Sequence, residues 1–243
     1  MLIGNTMALP GRRPAGGGAT DPYFASVALL LNMDGDNEST DFTDLSAASN
    51  TVAAQGGAQV KTARKKFGTG ACELDGVDSA LSIAGTSAFD MGASHFSLES
   101  WVLLDTLKTY NVIFASHWDG TAGGYFFYIN SSGRLALYTG SGFLTASSGT
   151  VSTGVWNFVA WYQNGDNLGM SLNGTEVFSG ATQTLNRATT STSVNPKIGT
   201  VDNNASVFMD GVRDGFRLTI GTDRGFTGSG APTPTAPFPT SGP

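Results

Sequence analysis

The segment ELDGVD (73–78) places three carboxylates, Glu73, Asp75 and Asp78, within six residues. Residues two apart on a strand share a face, so Glu73 and Asp75 could act together. Retaining glycosidic cleavage needs two carboxyl groups about 5–5.5 Å apart, one as nucleophile and one as acid. Against that chemistry, Gly76 turns the chain before Asp78. The segment reads instead as two strands about an ordinary hairpin turn at Asp75-Gly76. The two histidines, His95 and His117, sit in no nucleophile elbow, and no Ser-His-Asp order is legible. Two histidines also cannot furnish a histidine-rich metal centre. No catalytic residue is assigned, and a non-enzymatic protein is expected.

Two binding chemistries remain. The run DGDNESTDFTDL (34–45) carries carboxylates at 34, 36, 38, 41 and 44, and hard oxygen ligands suit Ca²⁺. An EF-hand needs glycine at its sixth place and glutamate at its twelfth, where Ser39 and Leu45 stand. Asp34 and Asp36 are the candidate metal ligands, with calcium the only cofactor considered. The competing reading is that these aspartates bond their own backbone in turns. Saccharide binding calls for an exposed aromatic ring beside polar groups. SHWDGTAGG (116–124) offers Trp118 and Asp119, and TGSGFLTASSG (139–149) offers Phe143. Trp118 lies in a glycine-rich stretch, whereas Trp101, Trp156 and Trp161 lie in strand-like runs.

The elements that would position these residues are nearly all strands. HFSLESWVLL (95–104) alternates, with Phe96, Leu98, Val102 and Leu104 on one face and Glu99, Trp101 and Leu103 on the other. VWNFVAWYQ (155–163) sets Trp156, Phe158, Ala160 and Tyr162 against Val155, Asn157, Val159 and Trp161. Asn173-Gly174, between two such runs, predicts a type I′ hairpin. No helix-period segment and no repeat is found. Two packed antiparallel sheets are predicted, a β-sandwich over 24–225.

Residues 1–23 read as an extended arm, where Pro10, Pro14, Pro22 and Gly16–Gly18 prevent regular structure. Residues 226–243 form a Gly/Pro-rich tail in which Phe226 and Phe238 stand out. Segments that cannot fold alone must be ordered by something else. Arg12, Arg13, Phe226 and Phe238 are therefore the candidate assembly contacts. The net charge is −6, which excludes a broad nucleic-acid surface. The one cysteine, Cys72, permits no intrachain disulfide and reads as a small buried hydrophobe. No run of ~18 apolar residues suggests a membrane helix. The start lacks the charged-then-apolar order of a signal peptide, so synthesis in a cytoplasm is expected.

Several segments together carry a family likeness: ARKKFGTGACELDGVDSALSI, FSLESWVLLD, GVWNFVAWYQNGDNLGMSLNGTEVFSG, PKIGT and MDGVRDGFRLTIGTDRGF. In order and spacing, over about 25–226, they resemble the laminin-G-like, concanavalin A-like lectin-glucanase jelly-roll domain. Lys66-Phe67-Gly68 and the ending APTPTAPFP (231–239) resemble tailed-bacteriophage structural proteins. Two places depart from the family pattern: Gly215 stands where an acidic residue usually follows Asp214, and GTDRGF (221–226) replaces the usual G-V-A-R-Y. The resemblance implies a concanavalin A-like sandwich serving as a virion structural protein, most simply a capsid decoration or cement protein. Such a protein would sit on the particle surface against the major capsid protein and would be a homo-oligomer. The alternatives are a tail or fibre adhesion module that binds host glycan and, more distantly, a glycoside hydrolase.

Overall fold

The structure is a computed structural model, and it describes residues 19–84, 89–116, 124–186, 195–201 and 207–243. Along the chain run β1 (Val27–Leu31), β2 (Val52–Gln55), β3 (Gln59–Lys61), β4 (Ala71–Asp75), β5 (Ala80–Ile83), β6 (Phe96–Leu104), β7 (Tyr110–Ala115) and β8 (Phe126–Asn130). They are followed by β9 (Leu135–Tyr138), β10 (Phe143–Thr145), β11 (Asn157–Gln163), β12 (Asn167–Leu172), β13 (Thr175–Ala181), β14 (Lys197–Ile198) and β15 (Asp210–Ile220). One sheet runs β13-β12-β11-β6-β15-β4-β3, with β1 paired to the far end of β15; the other runs β10-β9-β8-β7-β14-β5-β2. Every pairing is antiparallel, as the expected two-sheet sandwich requires.

The alternation read from the sequence places the side chains. Phe96, Leu98, Val102 and Leu104 of β6 and Val159 and Trp161 of β11 enter the core between the sheets. Trp101, Phe158, Ala160 and Tyr162 face outward, yet they too are buried, in a second apolar cluster. The eight-stranded sheet is therefore covered on both faces. The cover of its outer face is the tail: Phe226, Ala231 and Phe238 belong to that same cluster.

Two turns show what local signals can carry. Asn173 and Gly174 have φ of 49° and 86°, the pair of left-handed residues a type I′ hairpin demands. Asp75-Gly76 also turns, with Gly76 at φ 70°. It is not a hairpin, however, because β4 and β5 lie in different sheets. Asp75 Oδ1 accepts the backbone N–H groups of Val77, Asp78 and Ser79, which bends the chain from one sheet into the other. A local sequence window carries no information about which sheet receives the second strand.

Within the core, Arg213 of β15 donates from Nη1 to the carbonyl of Ile113 on β7, 2.5 Å away in the opposite sheet. The guanidinium is fully buried, and its Nε finds no partner among the described residues. Burial pulls its pKa down to about 9. Cys72, fully buried, has its thiol pushed up to about 12 by burial and is chemically quiet.

Candidate functional site

The outer face of the seven-stranded sheet carries an aromatic patch. A bulge between Val112 and Phe114 lets both Ile113 and Phe114 enter the core and returns Ala115 to the outer face. From Ala115 a cross-strand row continues through Phe126, Tyr138 and Phe143, each directly opposite the next. Ring centroids lie 5.0 Å apart for Phe126–Tyr138 and 4.8 Å for Tyr138–Phe143. Tyr128 lies 5.3 Å from Phe126, and Tyr110 closes the group at 5.2 Å from Tyr128 and 5.9 Å from Phe126. Small neighbours in the next row, Ala136 and Thr145, leave room for these rings.

Phe126 and Tyr128 are buried within the patch, while Phe143 is 56% exposed on top of it. An exposed phenylalanine braced by four aromatic neighbours is a rigid platform. The weakly positive C–H groups of a sugar ring suit the negative face of an aromatic ring. The Tyr128 pKa is pushed up to about 12, first by burial and then by Tyr110, so its hydroxyl stays neutral at physiological pH.

Of the residues proposed for saccharide binding, Phe143 lies in this patch, and Trp118 and Asp119 fall outside the described residues. Sequence reading missed Tyr110, Phe126, Tyr128 and Tyr138. The available signal was in Phe126-Phe127-Tyr128: a strand aromatic on both faces must have something to cover its outer one.

Most carboxylates of the other candidate sites bond within the fold. Asp34 Oδ1 accepts the backbone N–H and the hydroxyl of Thr69. Asp36 is exposed, and its backbone carbonyl accepts the N–H of Ser39. Buried Asp44 takes N–H groups from Leu30, Ser46 and Asn50 and so organises the acidic loop. Among the described residues no three His, Cys, Asp or Glu side chains converge on a point that could hold a metal ion. Glu73 lies 3.7 Å from both Lys61 and Arg64, while Asp75 caps the intersheet turn. The two thus serve an ion-pair group and a turn. Among the described residues no helix is long and apolar enough to cross a membrane.

The candidate assembly contacts divide. Arg12 and Arg13 lie outside the described residues. Phe226 and Phe238 dock on the chain's own sheet, 9% and 5% exposed. Phe226 meets Tyr162 edge-on at 5.8 Å, and the Arg217 guanidinium lies 4.2 Å from the centre of the Phe238 ring. Gly215 explains itself here: at φ 61°, a Cβ on it would sit 3.3 Å from the Phe238 ring. Gly215 is the seat of the tail's aromatic anchor.

Beneath the tail lies a cluster of opposite charges. Arg217 donates to both carboxylate oxygens of Glu99 at 2.9 Å and to Asp21 at 3.1 Å. Arg224 forks onto Asp21 at 2.9 and 2.6 Å. Burial opposes ionisation of Asp21, but hydrogen bonds from Arg224 and the Tyr23 backbone, with the charges of both arginines, hold its pKa below the ordinary value. An open groove of about 360 Å³ is lined by Glu99, Arg217 and Arg224 together with Pro232, Pro234 and Phe238 of the tail.

Asp214 joins a neighbouring loop to the same sheet. Its Oδ2 accepts the N–H groups of Lys66 and Phe67 at 2.6 and 2.7 Å, and both residues cover Trp101. Burial, with Asp34 adding repulsion, outweighs these donors and pushes the Asp214 pKa up to about 6 from an ordinary 3.8. The folded state then holds the proton more tightly than the unfolded chain, so this group adds stability as pH falls from 7 through 6, levelling off below about 4. Asp214→Asn should raise stability at pH 8 by on the order of 1–3 kcal/mol and flatten the curve between pH 8 and 4. Urea unfolding across that range is the check; a variant weaker than the parent at pH 8 would contradict it.

Residues 75–219 match the family described as the concanavalin A-like lectin/glucanases superfamily. No curated protein matches by sequence. Among solved structures, domain 4 of a GH43 extracellular arabinanase from Geobacillus stearothermophilus, in complex with arabinotriose, is similar with a TM-score of 0.61. The identity is 18%, over 81% of this chain and 93% of that one. The binding domain of Paraclostridial Mosquitocidal Protein 1 is similar with a TM-score of 0.59 and 12% identity, over 83% of this chain and 50% of that one. A botulinum neurotoxin DC binding domain in complex with SialylT gives 0.58 and 13%, over 83% and 49%. The chain thus spans about half the length of those toxin domains. At such identities these likenesses concern the fold.

Proposed function

Because the chain belongs to the concanavalin A-like lectin/glucanases superfamily, we propose that it is a non-enzymatic saccharide-binding module. The observation that carries this reading is the five-ring patch on the seven-stranded sheet, with Phe143 exposed on its top. A sugar ring stacks on Phe143 and Tyr138, and the Tyr138 hydroxyl, which donates to the Gly140 carbonyl, accepts from a sugar hydroxyl. Such sites combine aromatic walls with a few polar groups that fix orientation. Arabino-oligosaccharides are a sensible first probe, since a similar fold has been solved with arabinotriose bound. A glycan array followed by calorimetry tests the proposal. Phe143→Ala should weaken binding about tenfold or more, as expected for a central aromatic contact. Equal affinity of parent and variant, or silence across the array, would sink it.

The setting we propose is a bacteriophage particle, with this module as a tail or fibre adhesin for host glycan. Support comes from the resemblance of Lys66-Phe67-Gly68 and APTPTAPFP to phage structural proteins. A capsid decoration role, as an oligomer on the major capsid protein, is the second reading. It requires clamps onto neighbours; with Phe226 and Phe238 seated on their own sheet, that work falls to the arm with Arg12 and Arg13. Copy number separates the two: hundreds per particle favour decoration, a few favour an adhesin, and none in purified particles removes both.

A further inference from the structure

The groove of about 360 Å³ along the tail lies on the outer face of the eight-stranded sheet. Its volume falls within the range of small-molecule sites, about 300–1,000 Å³. Phe143 stands across the sandwich from it, on the outer face of the other sheet. We propose that the groove is a second saccharide site, selective for a neutral sugar, so that the module carries sugars on opposite faces. The proposal rests on the groove's own residues and stands without the Phe143 site.

The floor offers both donors and acceptors. A guanidinium has five N–H groups. Arg217 gives two to Glu99 and one to Asp21, and Arg224 gives two to Asp21 and one to the Thr219 hydroxyl. Among the described residues, each arginine therefore keeps two N–H groups without an acceptor. An ionised carboxylate has about four lone-pair sites. Asp21 is saturated, since each of its oxygens accepts twice from the two arginines and the Tyr23 N–H. Glu99 accepts from Arg217 alone and keeps about two sites open.

The balance of charge selects the ligand. Asp21, Glu99, Arg217 and Arg224 side chains are at most 9% exposed and hold one another in place, so the floor is preorganised. Two cations and two carboxylates cancel. An anion would gain the spare arginine N–H groups but face both carboxylates, and a cation would meet the reverse. A sugar hydroxyl donates and accepts at once and carries no charge, so a neutral sugar satisfies both halves of the floor. The walls suit its C–H faces: Pro232 and Pro234 of the tail line the groove, as does Tyr23, which is 39% exposed. The Arg224 guanidinium, 5.2 Å from the centre of the Tyr23 ring, braces that ring. The negative face of an aromatic ring attracts weakly positive C–H groups here as it does at Phe143.

Calorimetric titration of the full chain carrying Phe143→Ala isolates the groove. The probes are arabinotriose, galactose, glucose and mannose, with inorganic phosphate and glucuronate as charged controls. At least one neutral probe should bind at one site per chain and shift the Tyr23 ring signals in NMR spectra. Tyr23→Ala, a change at a solvent-exposed ring, should weaken that binding about tenfold or more, and Tyr23→Phe should retain it. Added salt should leave the affinity unchanged, because the ligand brings no charge to screen. The proposal is overturned if no neutral probe binds the Phe143→Ala chain, if Tyr23→Ala binds as tightly as its parent, or if phosphate or glucuronate binds more tightly than every neutral probe. Tyr23→Ala with Phe143 intact reports the aromatic patch alone, so the two sites stand or fall separately.

Discussion

Phe238→Ala is expected to remove about 3–5 kcal/mol of docking free energy from the tail, the range for a buried phenylalanine cut to alanine. The ring is 5% exposed, faces the Arg217 guanidinium, and fills the space that Gly215 leaves by having no side chain. Its loss leaves a void over Arg217 and removes the one large anchor near the chain's end. Phe226 lies twelve residues earlier and cannot hold that end. The tail should therefore fray before the sandwich melts. Hydrogen exchange should show the Asp21 amide, which donates to the Ser241 carbonyl, losing protection while the amides of β6 and β11 keep theirs. Limited proteolysis should cut between 227 and 238 in the variant and spare the parent. Gly215→Glu should act in the same direction, because its side chain meets the ring and its backbone sits at φ 61°. Unchanged protection in both variants would mean that Phe238 does not anchor the tail.

Glu99→Ala is expected to destabilise the whole sandwich by about 3–5 kcal/mol, the usual result of removing one partner from a buried ion pair. Glu99 sits in the middle of β6, 1% exposed, and both of its oxygens bind Arg217. Without it, Arg217 and Arg224 share Asp21 alone, and two cations face each other under the tail. For a chain of this size the loss corresponds to a fall in Tm on the order of 10 °C. Salt should rescue little of it, because buried charges are screened far less than exposed ones. Thermal unfolding at low and high ionic strength decides the matter, and a shift below about 2 °C would show the cluster to be energetically neutral.

The strands around Trp101 and Trp161 were legible because alternation with period two is a local property, and both faces of β6 and β11 were assigned from it. The Asn173-Gly174 turn was legible because its backbone geometry depends on two residues. Asp75-Gly76 was legible as a turn but not as a crossing between sheets. Phe143 was picked out as an aromatic ring in a polar run, TGSGFLTASSG, while Tyr110, Phe126, Tyr128 and Tyr138 were passed over. Their grouping depends on register across four strands and on a bulge at Ile113, neither of which is written in any single window. Glu99 and Arg217 lie 118 positions apart, and nothing local joins them.

What the amino-acid sequence determined by itself was an all-β sandwich of this superfamily, with inward and outward faces on its central strands. Pleat, turn chemistry and patterned hydrophobicity act over a few residues, and so they can be read directly. Only the tertiary structure decided where the tail goes. The composition of residues 226–243 permits a free linker, a clamp on a neighbour or a cover for the chain's own sheet, since each would suit prolines and two phenylalanines. The choice rests on a glycine at 215, an arginine at 217 and an apolar outer face at 101, 158 and 162, brought to one place by strands far apart in sequence.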